Sequence, residues 1–190
     1  MRGLFPKLNN IVAALLLTVT FSLPSGMAAA AENARLDELF TRLKEADAGA
    51  ARRIAAEIEL EMSKSGSASM DLLYKRGRDA LEAGNIDVAI EHLTALTDHA
   101  PDFAQGYYLR AVAYYRAELF GPSFADLERA LILNPRHYEA IGLLGYLMEE
   151  MNQPELAHDA YLRALELHPH HEDIQMGLDR LGPTMGGEPL

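Results

Sequence analysis

The chain has 190 residues, 49% of them apolar, a formal net charge of −11 and no cysteine. That length suits one domain with a sizeable core. The missing cysteines exclude disulfides, thiolate chemistry and a cysteine-borne lipid anchor, and the acidic balance argues against nucleic acid as a partner.

Residues 1–31 read as a targeting segment. Arg2 and Lys7 give a basic start, Ile11–Leu23 is an apolar core, Pro24-Ser25-Gly26 breaks it, and Ala28-Ala29-Ala30 supplies a small-residue cleavage site. This is the layout of a secretory signal peptide cut after Ala30. The alternative is an uncleaved anchor in an inner membrane, since no charge falls between Leu8 and Ala31. Against it, Ile11–Leu23 is short beside the ~20 apolar residues of a spanning helix. Cleavage would remove two positive charges and no negative ones, taking the net charge from −11 to −13. The expected location is the bacterial periplasm or the exterior, with no membrane span in the mature chain.

Residues 31–69 hold a helical pair and a connector. Leu36, Leu39, Phe40 and Leu43 keep helical spacing, Ala48-Gly49-Ala50 reads as a turn, and Ile54, Ile58 and Met62 recur every four residues. The pair is expected to be a degenerate first repeat capping a stack. Ser63–Ser69 is a polar connector, with a flexible hinge as the other reading.

The rest is periodic. Pro101, Pro135 and Pro169 lie 34 residues apart and close the phrases DHAPDF, ILNPRH and ELHPHH, each at the end of an apolar run. A period of this size marks stacked helix–turn–helix units, here 70–103, 104–137 and 138–171. Gly84-Asn85 ends the first helix of one unit, and Gly121-Pro122 and Gln153-Pro154 open the second helix of the next two. Residues 172–181, with Ile174, Leu178 and Leu181 on one face, read as a cap helix, and 182–190 as a disordered tail.

The three units resemble the tetratricopeptide repeat (TPR) family. Small residues stand where the family crosses its helices: Gly77, Ala111 and Gly145 in helix A, and Ala89, Ser123 and Ala157 in helix B. Large ones follow at Leu93, Leu127 and Tyr161. Arg76 and Arg110 depart from the pattern, occupying positions where the family usually buries Leu. Their stems are expected to pack between helices while the guanidinium groups reach an acid or carbonyls, with Asp79 and Asp126 as candidates. The resemblance implies an all-α, right-handed α-solenoid of nine helices in the mature chain, closed by the C-terminal cap.

The resemblance also implies a site, because the family lines its concave groove with helix A. The residues expected there are Tyr74, Arg78, Tyr108, Val112, Tyr115, Arg116 and Tyr146. Tyr108, Val112 and Tyr115 follow an i, i+4, i+7 stripe and are expected to be exposed, whereas Tyr107 and Tyr114 sit on the core stripe. A clamp for a terminal carboxylate is not expected, since the clamp positions carry Tyr74, Arg78, Leu109, Glu139 and Leu143, with only one cation.

His168, His170, His171, Glu172 and Asp173 could hold Zn, Cu or Ni, yet they fill a surface turn and lack fixed ligand spacing. No phosphate loop, zinc-protease motif or nucleophile elbow occurs. The expected function is therefore a non-catalytic scaffold binding a protein or peptide, with no cofactor and no metal. Alternatives are a self-associating structural protein and, further off, a metal carrier using the histidines.

Overall fold

The structure, a computed structural model, describes residues 25–185, and side chains from 34 to 182. Most of the expected targeting segment, 1–24, and the end of the expected tail, 186–190, lie outside the described residues.

Nine helices make up the described residues: α1 (Ser25–Glu45), α2 (Ala48–Met62), α3 (Ala68–Glu82), α4 (Ile86–His99), α5 (Ala104–Arg116), α6 (Phe120–Leu133), α7 (Tyr138–Glu150), α8 (Pro154–Leu167) and α9 (Glu172–Met185). Helices α3–α8 form three antiparallel pairs, and each pair packs on the next through α4 on α5, α6 on α7 and α8 on α9. This is an all-α helical repeat solenoid. No helix among the described residues is long and apolar enough to cross a membrane.

The 34-residue period has a backbone cause. Each of α3, α5 and α7 ends in the same motif, with Gly84, Glu118 or Asn152 at positive φ. Asn85 N donates to Ala80 O (2.8 Å), Leu119 N to Tyr114 O (2.9 Å) and Gln153 N to Met148 O (2.9 Å). These bonds are the 6→1 closure of a Schellman motif, which needs a left-handed residue one place earlier. Gly84 meets that need without a Cβ penalty, and Asn152 tolerates it. Pro154 then starts α8, where the missing N–H has no intrahelical partner to lose.

Packing follows the small–large pattern. A Cβ on Gly77 would come within 2.5 Å of Leu93 Cγ, and one on Gly145 within 2.6 Å of Tyr161 Cδ1. Leu93, Leu127 and Tyr161 are all fully buried. Ser123 adds a buried hydrogen bond, its Oγ donating to Ala111 O at 2.9 Å. Ile174 of the cap reaches α7 at Gly142, where an added Cβ would lie 2.8 Å from Ile174 Cδ1. Gly77→Leu and Gly145→Leu are each expected to overpack a crossing and cost about 1–3 kcal/mol; a thermal melt measures the loss.

Three local expectations are corrected. The turn between α1 and α2 lies at Ala46-Asp47, because Asp47 Oδ1 accepts from Ala50 N at 2.8 Å and caps α2 two residues before Gly49. Helix α9 continues past Leu181 to Met185, so the tail starts later than Gly182. Arg76 is exposed with no ion pair among the described residues, and Asp79 instead pairs with Lys75.

The N-terminal pair also makes contacts that a simple extra repeat at the α3 end does not require. Leu39, Leu43, Ile54 and Ile58 bury its inner seam. Beyond that seam, Arg136 Nη2 of the α6–α7 turn pairs with Asp37 at 2.7 Å and stacks its guanidinium 4.6 Å over the Phe40 ring. Phe40 in turn meets Tyr138 edge-on at 6.4 Å, and Arg52 of α2 pairs with Glu172 of α9 at 3.5 Å.

Candidate functional site: the concave face

Helices α3, α5 and α7 supply the expected groove. Five of the seven expected residues, Tyr74, Arg78, Tyr108, Val112 and Arg116, line one cavity of about 240 Å³. Tyr115 and Tyr146 lie apart from it.

The tyrosines are less open than the stripe predicts. Tyr74 is 4% exposed, edge-on to Phe103 at 5.9 Å, with its Oη accepting from Gln105 Nε2 at 3.4 Å. Tyr108 is half-buried, its ring 4.4 Å from that of the fully buried His137. Burial pushes the Tyr108 hydroxyl well above the usual phenol range. Tyr115 leans on Phe120 at 5.9 Å, and Tyr146 donates from Oη to Asp173 O at 2.8 Å, so both are half-buried. Tyr107 and Tyr114, expected in the core, are also half-buried and flank the Arg110 guanidinium at 5.6 and 5.8 Å. For Tyr107, Tyr114, Tyr115 and Tyr146 the physical reason is shared: a phenol on a crossing helix buries its ring against a neighbour while its tip stays near the edge; Tyr74 and Tyr108 bury the hydroxyl as well.

The cations in the cavity have partners close by. Arg116 Nη1 donates to Leu81 O at 2.9 Å, and Arg78 lies 3.6 Å from Glu82 on its own helix. Arg110, on another face of α5, forks onto Asp126 through Nε (2.7 Å) and Nη2 (2.8 Å) and donates to Thr97 Oγ1 at 2.6 Å. That pairing meets the expectation for Arg110.

Two acids were missed by the tyrosine-led reading. Glu59 of α2 and Glu139 of α7 line the same cavity. Glu139 has a signal in the period: Asp71, Gln105, Glu139 and Asp173 recur every 34 residues in the first turns of α3, α5, α7 and α9. Burial, then the charge of Glu59, pushes the Glu139 carboxyl up to about 7. Arg78, Glu82, Tyr74, Tyr108 and Arg116 face it across this cavity. Arg52, His168, His170, His171, Glu172 and Asp173 face it across a second cavity of about 320 Å³.

The histidines are structural parts of this face. His137 and His171 cap α7 and α9, their Nδ1 atoms accepting from Ala140 N and Ile174 N, each at 3.4 Å. His168 is buried between Tyr138 (5.1 Å) and His171 (5.1 Å). Burial pulls His137 down to about 3 and His168 to about 4. Among the described residues no group of three metal-ligating side chains converges.

These shifts give a pH dependence. A carboxyl raised in the fold destabilises it increasingly as pH climbs from the unfolded value of 4.5 through about 7. The imidazoles lowered in the fold withdraw stability as pH falls below 6.5. Glu139→Gln is therefore expected to gain stability over wild type between pH 4.5 and 7, with the gain levelling off above that. Urea melts at stepped pH measure it.

Comparison with known proteins agrees with this architecture. The tetratricopeptide repeat family model matches residues 74–132. A TPR repeat-containing protein of Rhizobium etli is 30% identical over 154 residues, which cover 80% of this chain and 76% of its own length. The chain belongs to the tetratricopeptide repeat family. Among solved structures, the first TPR of Spaghetti (RPAP3) bound to the HSP90 peptide SRMEEVD is 25% identical with a TM-score of 0.60, covering 62% of this chain and 94% of that one. The type III secretion chaperone SycD of Yersinia enterocolitica, in complex with a peptide of the translocator YopD, is 10% identical and shares the fold, with a TM-score of 0.58 over 63% of this chain and 96% of that one.

Proposed function

We propose that this protein is a non-catalytic scaffold of the bacterial cell envelope that binds a protein or peptide partner along its concave face. The observation that carries the reading is the convergence of Tyr74, Arg78, Tyr108, Val112 and Arg116 on one cavity. Peptide complexes of the Spaghetti and SycD folds support the class of partner. Export rests on the basic start, apolar core and Ala28-Ala29-Ala30 site; fractionation with N-terminal sequencing tests it, with Ala31 expected as the new terminus.

Crosslinking with mass spectrometry in native envelopes identifies the partner. Tyr108→Ala combined with Tyr115→Ala is then expected to weaken binding by at least about 2 kcal/mol, the scale of an aromatic hot spot. Equal affinity with the fold intact would move the binding surface off the groove.

Self-association is the second reading, favoured by an apolar cleft of about 350 Å³ between α6, α7 and α8. Phe124 and Leu156 line it at 43% and 52% exposure. Light scattering on the purified chain decides whether a dimer forms.

A further inference from the structure

The concave face already holds a helix. Arg52, near the start of α2, pairs with Glu172 of α9 at 3.5 Å. Ala55 and Ala56 face Tyr138 of α7 across the second cavity. Glu59 faces Tyr74 of α3 and Tyr108 of α5 across the first. One α-helix of this chain thus lies opposite four helices of the repeat layer, in the place where a partner would sit.

The face it turns to the cavities is small, with Ala55 and Ala56, and poorly matched in charge. Ala51, Ile54 and Ile58 are buried on its other side, in the apolar cluster that holds Leu39 and Leu43 of α1. Glu59, however, brings a carboxylate to the cavity that contains Glu139. Neither arginine of that cavity pairs with these two acids: Arg116 donates to Leu81 O and Arg78 lies beside Glu82. Like charges in a partly enclosed site repel more than they do in open water. The high Glu139 carboxyl, about 7, reflects its burial and that neighbour.

We propose that α2 is an internal stand-in for the groove's partner, and that the partner is an amphipathic helix carrying Lys or Arg where α2 carries Glu59. Such a helix keeps the small residues that α2 presents at Ala55 and Ala56 and replaces a repulsion with an ion pair to Glu139. It displaces α2, whose path into α3 turns at a corner fixed by Ser65 N donating to Asp71 Oδ1 at 2.9 Å. The inference rests on the scaffold reading, because it names the partner chemistry of the same face.

Hydrogen exchange by mass spectrometry on the full chain tests it. Glu59→Lys is expected to slow exchange of residues 48–62 by about tenfold while leaving α4–α8 unchanged. Glu139→Gln, which removes the repulsion without adding a charge, is expected to slow it in the same direction. A synthetic peptide of residues 48–62 carrying the same Glu59→Lys change, added to wild type, is expected to bind and speed exchange of the chain's own α2. The unaltered peptide is expected to bind at least about tenfold more weakly. Unchanged α2 exchange in both variants, or equal binding of the two peptides, overturns the inference. A partner captured on the groove despite that result would leave the scaffold reading standing; loss of the Tyr108 and Tyr115 effect would remove that reading whatever α2 does.

Discussion

Asp126→Ala is expected to destabilise the chain by about 3–5 kcal/mol, the usual cost of removing one partner of a buried ion pair. The side chains of Arg110 and Asp126 are 14% and 9% exposed, and the carboxylate takes two of the guanidinium's bonds. Removing it leaves the cation enclosed between Tyr107 and Tyr114 with Thr97 as its remaining close acceptor. For a chain of this size the melting temperature should fall by roughly 6–20 °C. Arg110→Met combined with Asp126→Leu should recover most of the loss, since an apolar pair of similar volume is often neutral against a buried ion pair. A melt of the double variant as low as that of Asp126→Ala alone would place the cost elsewhere.

Tyr161→Ala is expected to cost about 3–5 kcal/mol, as for other large aromatic truncations in a core. The ring fills the space left by two glycines, Gly145 on α7 and Gly177 on α9, and stands edge-on to Tyr146 at 5.3 Å. Its hydroxyl donates to Glu149, which also takes both forks of Arg180. One side chain therefore joins the last repeat to the cap. Tyr161→Phe separates the two contributions and should lose about 1.5–3 kcal/mol, the net worth of a hydrogen bond to a charged group. Denaturant titration of both variants checks the ratio.

The parts of the fold legible from sequence are those set by neighbours one helix away. Gly77 and Leu93, or Gly145 and Tyr161, meet at a fixed offset that recurs with the period, so their packing follows from the repeat. The arginines show the same rule failing for a reason. Asp126 stands sixteen residues after Arg110 and binds it, whereas the residue sixteen after Arg76 is His92, and Arg76 stays exposed. The site was legible as a face and not as an environment. Tyr108 lines one cavity with four of the other expected residues, but its enclosure depends on His137 and on a cavity wall contributed by Glu59. No local period records that a helix from residues 48–62 reaches the repeat layer, because such docking is specified only by side chains distant in sequence.

Arg52 touching Glu172, and Asp37 touching Arg136, also set an order of events. The N-terminal pair is synthesised before the repeats, yet these seats on its docking surface are made from residues that emerge much later. Contacts of such long range form only after the intervening chain has been closed into place, which slows them relative to the helix–turn–helix pairs. The pairs α3–α4, α5–α6 and α7–α8 can zip up in turn, while the apolar seam of α1 and α2 waits beside them. The helical pair made before the repeats thus completes its native contacts after them, and in that interval its Leu, Ile and Phe side chains are open to a chaperone.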